Sequence, residues 1–190
     1  MITGNTSGLK TAQLKGLERI AGRRVNPDLV ISPELAKELC TAAFELGRQV
    51  GVLLSRSGQV EAVMVGDHRS IMIPALKQFR ASGGRLKGLR CVHTHLAGED
   101  LSEDDLMDLL FLRLDLMTVV TMDQGGTIWL HSAHLVPQPV AGRDWALLAP
   151  EIPTQQGQFR ELIAALEDEF AKARPVREID AGRDRAILIS

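Results

Sequence analysis

The stretch Leu89-Arg90-Cys91-Val92-His93-Thr94-His95, followed by Ser102-Glu103-Asp104-Asp105, decides how this chain is read. Leu89 to Val92 reads as a buried strand, and two histidines then stand at i and i+2. Residues two apart on a strand share a face, so both imidazoles reach one ion or one substrate. Ser102 reads as the N-cap of a helix with Asp105 in its first turn. Two neutral imidazoles and one carboxylate suffice for an open zinc site. The same Ser-x-x-Asp pattern also serves as a plain helix cap, where the helix dipole favours an acid. Strand-end histidines can equally hydrogen-bond within a polar pocket.

Elements follow on both sides of this stretch. Residues 1–10 read as a loose start, and a short helix follows with Leu14, Leu17 and Ile20 on one face. Ser32-Pro33-Glu34 opens a second helix, whose apolar positions run from Leu35 to Leu46. Val50–Leu54 and Gln59–Val65 form a hairpin across Ser55-Arg56-Ser57-Gly58. Ile71–Ile73 is a short strand closed by Pro74, and Ser82-Gly83-Gly84 is a flexible connection. Leu86–His95 is the central strand. Ser102 caps a helix to about Arg113 that is apolar almost all round, which predicts cover on more than one side. Leu116–Met122 and Thr127–Leu135 are strands, and residues 155–173 are an amphipathic helix stopped by Pro175. The apolar end, Ala186–Ser190, predicts that the natural chain continues or that this strand pairs back into the sheet.

The expected fold is a single α/β (α+β) domain with a mixed, mostly hairpin-built sheet and helices packed on it. Its expected parts are an N-terminal helical segment (1–30), a core (31–174) and a C-terminal strand or linker (175–190). The 190 residues, 45% hydrophobic, are enough for one real core. A net charge of −2 gives no overall footprint of nucleic-acid binding, although Arg80, Arg85, Lys87 and Arg90 cluster before the histidine strand. Arg85, Lys87 and Arg90 are therefore candidate nucleic-acid contacts. Cys40 and Cys91 read as buried thiols. With neither a signal peptide nor a membrane span in the pattern, a cytoplasmic protein is expected.

His93, His95 and Asp105 are the candidate zinc ligands. Such a centre would activate water for attack on an amide carbonyl, with Glu61 or Glu45 as candidate general base. His131 and His134, three apart on a strand, face opposite sides and read as surface or sheet-end residues. His68 carries little signal. The chain has no Gly-x-x-x-x-Gly-Lys-Ser/Thr loop and no Gly-x-Ser-x-Gly elbow, so it has neither P-loop nor serine-hydrolase machinery.

Two resemblances meet on these residues. Leu17-Glu18-Arg19, Arg23-Arg24-Val25, Ser32-Pro33-Glu34-Leu35-Ala36, Gly47-Arg48-Gln49-Val50-Gly51 and Val65-Gly66-Asp67 resemble the N-terminal extension of some bacterial HflX GTP-binding proteins. Gly88 to Leu96, Leu112-Arg113-Leu114-Asp115 and Arg183 to Leu188 continue that resemblance. It implies an accessory or regulatory domain whose parent protein carries the P-loop GTPase portion and associates with the large ribosomal subunit. GTP and Mg would bind only in that portion, and the ribosome and the chain's own GTPase domain are the implied partners.

His93-x-His95 with Ser102-x-x-Asp105 is similar to the JAMM metalloprotease signature, including RadC-like proteins. This implies a JAMM/cytidine-deaminase-like core in which His93, His95 and Asp105 bind zinc and Ser102 supports the oxyanion. The chain departs from that pattern in its short His95–Ser102 spacer, in Leu96 at a usual proline, and in Arg48 where a RadC-like chain carries its glutamate. These departures predict a JAMM-like scaffold with an altered site. The alternatives are a zinc-dependent peptidase or amidase, and an oligomerisation module forming a homodimer through the hairpin edges.

Overall fold

The computed structural model describes residues 1–74, 76–82, 85, 86, 88–137, 177–180 and 184–189. Its centre is a strand with neighbours on both sides. β1 is Ile2–Gly4, β2 Val50–Ser55, β3 Val60–Val65, β4 Arg80–Ser82, β5 Arg85–Leu86, β6 Leu89–Thr94, β7 Leu116–Met122 and β8 Ile128–Pro137. β9 is Arg177–Asp180 and β10 Asp184–Ile189, and the helices are α1 Thr11–Ala21, α2 Pro33–Leu46 and α3 Glu103–Leu112. Six strands form the body of a mixed sheet in the order β1-β3-β2-β6-β7-β8, and β10 and β9 extend it beyond β8. This is the expected α/β domain.

The pairing follows from the connections. β2–β3 and β7–β8 are antiparallel hairpins, whereas β6 and β7 run parallel because α3 carries the chain back between them. β6 is buried along its whole length, as a strand flanked and covered on both faces must be. On one face α1 and α2 pack Leu17, Ile20, Leu35 and Leu39 against Val50, Val52, Val63 and Val92. On the other, α3 packs Leu106, Leu109 and Leu110 against Leu53, Cys91, Met117 and Val119. Residues 2–21 thus share the core with the rest of the domain.

Several expectations need correction. Residues 1–10 include β1, which pairs parallel to β3. Ile71–Ile73 is not a strand: its backbone joins no ladder, although Ile71 and Ile73 pack against the α3-side core. The strand expected over Leu86–His95 is broken at Gly88, where φ is +75°. β5 therefore pairs with β4 in a separate two-stranded sheet. Phe111 on α3 stays exposed, so cover of that helix is incomplete. Both thiols are buried and unpaired as expected, and burial pushes the Cys40 thiol up to about 11.

Arg90 departs most from its expected surface role. It is 1% exposed, and its guanidinium donates to the Pro27 carbonyl oxygen. A strand buried on both faces has no solvent side to offer it. The side chain of Arg85, all of Lys87, the helix expected over 155–173 and the boundary at 174/175 lie outside the described residues. The apolar end pairs back into the sheet, because β10 joins β8 along Asp184–Ile189. Among the described residues no helix is long and apolar enough to cross a membrane.

Gly51 in β2 lies opposite His93 in β6. A Cβ there would stand 2.7 Å from the His93 Cβ and 3.0 Å from the Val92 carbonyl oxygen. Gly51→Ala is therefore expected to destabilise the domain by about 1–3 kcal/mol through overpacking, read as a lower denaturation midpoint.

Candidate metal centre

The site is built where β6 ends and α3 begins, the position at which a β-α-β unit leaves a crevice. His93 pairs with Gly51 on one side and Val119 on the other, so its ring faces α3. His95 follows two residues on, toward the same side. The two rings stand edge to face with centroids 5.0 Å apart. Between them, Thr94 turns to the opposite face, where its hydroxyl bonds both the N–H and the carbonyl of Val50.

Asp105 comes from the first turn of α3, where it makes the cap and also faces the two rings. The Ser102 N–H and hydroxyl donate to Asp105 Oδ2 at 2.8 and 2.6 Å, and the Asp105 N–H returns a bond to Ser102 Oγ at 3.2 Å. This box fixes the carboxylate rotamer and still leaves it facing the rings. Oδ1 lies 3.0 Å from His93 Nε2, and Oδ2 lies 3.4 Å from His95 Nε2.

The donor set fits a divalent cation. The two Nε2 atoms are 3.1 Å apart, and the ligand atoms of all three residues lie within 4.8 Å of one another. Ligands at zinc distances around a tetrahedron stand about 3.3 Å from each other. The three separations lie close to that edge. The electrostatics agree. Burial pulls the His95 pKa down, but Asp105 and the Glu99 carbonyl outweigh it and hold it above its usual range. Burial would raise the Asp105 carboxyl, but hydrogen bonds from His93, His95 and Ser102 hold it well below the carboxylate range. The His93 Nδ1 is buried with no partner among the described residues.

His95 and Asp105 line a cavity of about 920 Å³, with His93 buried behind them. One wall carries Glu99, Asp100, Asp104 and Asp108, and the other His68, Arg69 and Gln49. Burial and the neighbouring Asp105 and Asp104 raise the Asp108 carboxyl. Asp67 shapes the loop on the second wall by accepting the N–H groups of Arg69 and Ser70 and the Ser70 hydroxyl.

The expected site residues divide cleanly. His93, His95, Asp105 and Ser102 come together. Glu45 does not join them: it is exposed on α2, in a groove against α1. Glu61 lies on β3 beside the N-terminal amine, two strands from β6, and lines no part of the cavity. Arg48 also turns away, donating to the Asn5 and Ser7 carbonyls. Its neighbour Gln49 faces the cavity instead. His68, given little weight by the sequence, is on the cavity wall. His131 and His134 do face opposite sides, paired with Val119 and Leu116, but His134 is buried rather than at the surface. Gln49, Asp108 and Glu99 carry no local motif, and only the Gly51–His93 register brings Gln49 to the site.

Zinc and protons compete for His95. Its raised pKa means that zinc affinity should weaken as pH falls through and below the usual histidine range, by about tenfold per pH unit for each proton displaced. Asp105 stays ionised across that range and adds no slope. Competition with a chromogenic chelator between pH 8 and pH 6 measures this, and a flat profile would exclude His95 as a ligand. No known protein family, characterised protein or solved structure matches the chain.

Proposed function

We propose that this chain is a zinc-holding, JAMM-like domain that serves as an accessory module of an HflX-type GTP-binding protein acting at the large ribosomal subunit. The observation that carries the metal centre is the convergence of His93 Nε2, His95 Nε2 and the Asp105 carboxylate at the spacing of zinc ligands. In this role His93, His95 and Asp105 hold the ion, and Ser102 locks Asp105 in place. Bound there, zinc would supply Lewis-acid chemistry beside the cavity lined by His95 and Asp105.

The accessory role is supported by the spread of HflX-like segments over the chain and by what their residues do. Ser32 caps α2, Asp67 closes the cavity loop, and Asp115 makes a two-point ion pair with Arg56. These residues maintain a scaffold, and a scaffold is what an accessory domain retains. GTP and Mg belong to the GTPase portion, because the P-loop motif is absent from this sequence. Arg85 and Lys87, without the buried Arg90, are the proposed contacts to ribosomal RNA.

One observation favours the second reading, a zinc-dependent peptidase or amidase: the cavity beside the ligands has room for a peptide segment. Glu99, Asp100, Asp104 and Asp108 are then the carboxylates within the cavity, in place of Glu45 and Glu61.

Metal analysis of the purified chain tests the centre. About one zinc per chain is expected, lost in a His93→Ala, His95→Ala double variant, and a metal-free protein after zinc supply would end the proposal. Co-sedimentation with large ribosomal subunits tests the accessory role. Binding should fall with added salt and fall further in an Arg85→Gln, Lys87→Gln variant. Binding that ignores both changes would remove that surface from consideration.

A further inference from the structure

Gln49 is 4% exposed, stands immediately before β2, and lines the cavity shared with His95 and Asp105. Its main chain is held on both sides: the N–H donates to the Asp67 carbonyl at 2.7 Å, and the carbonyl accepts from the Gly66 N–H at 2.9 Å. The β2–β6 ladder pairs Gly51 with His93, Val52 with Val92 and Leu53 with Cys91. Continued by one same-face step, that register sets Gln49 across from His95. Residues two apart on a strand share a face, so Gln49 lies on the face that carries both imidazoles. No side chain or backbone group among the described residues bonds its amide, although a buried amide ordinarily finds a partner. The unspent donors and acceptor are directed to the cavity.

We propose that Gln49 is the residue that meets and orients an oxygen-donor ligand bound at the metal centre. This rests on the zinc centre proposed above and deepens it. An amide offers two N–H donors and one carbonyl acceptor, so it can orient a carboxylate, a hydroxamate or a carbonyl. Unlike a carboxylate at the same place, it has no lone pair basic enough to keep a proton at neutral pH. The other titratable groups on the described cavity walls are His68, Glu99, Asp100, Asp104 and Asp108. Asp104, Asp105 and Asp108 belong to α3, whereas Gln49 stands immediately before β2. The specificity of the site for an oxygen ligand then depends on residue 49.

Calorimetry with acetohydroxamate tests this on the zinc-loaded chain. That probe presents two oxygen donors to zinc and leaves an oxygen for an amide N–H to bond. Zinc uptake is measured first, and a chain that takes up no zinc overturns the metal centre itself and this proposal with it. With zinc bound, Gln49→Ala should bind the probe about fivefold more weakly than wild type through the lost hydrogen bond, with zinc content unchanged. Unchanged affinity in the alanine variant would show that residue 49 does not face the ligand.

Discussion

Strand β6 is the constraint on which the rest depends. Its backbone is bonded to β2 on one side and β7 on the other, and its two faces are covered by different helices. A strand in that position has no freedom to slip, because a shift by one residue would turn Cys91 and His93 to the α2 side and Val92 and Thr94 to the α3 side. Gly51 reinforces the register from the neighbouring strand, since it is the only residue type that admits the His93 Cβ at this distance. The histidines are consequently presented by the most rigid part of the sheet. A site that must hold ligand atoms within a few tenths of an ångström benefits from this placement more than a loop could provide.

Asp105 links that strand to the helix that follows. Its carboxylate accepts the N–H and hydroxyl of the N-cap Ser102 and, in the same rotamer, faces the two imidazoles. Helix start and site are therefore one electrostatic unit. The helix terminus and the imidazoles both favour the ionised carboxylate, which is why it is held so far below its usual range despite burial. The one geometry of Ser102-x-x-Asp105 caps the helix and leaves the carboxylate where it could hold a metal ion.

The cavity adds a third party from far away in sequence. The turn at Asp67 and the main-chain clamp on Gln49 bring residues 49 and 66–71 to the mouth of the β6–α3 crevice. This loop and the acidic wall decide which ligand chemistry the centre meets. An amide rather than an acid stands at position 49.

The local half of this protein was written in its sequence. The strand–loop–helix unit, the shared face of His93 and His95, the Ser102 cap, the two hairpins and the start of α2 follow from periods of two and 3.6 and from cap chemistry, which act over a few residues. The non-local half was not. Arg90 reads as a surface cation and is buried. Glu45 and Glu61 read as neighbours of the site and lie elsewhere. Arg48 occupies the expected sequence position, yet Gln49 faces the cavity. Each of these depends on which strand lies beside which and in what register. Packing of the whole sheet between its two helical layers sets that, and no short window of residues records it.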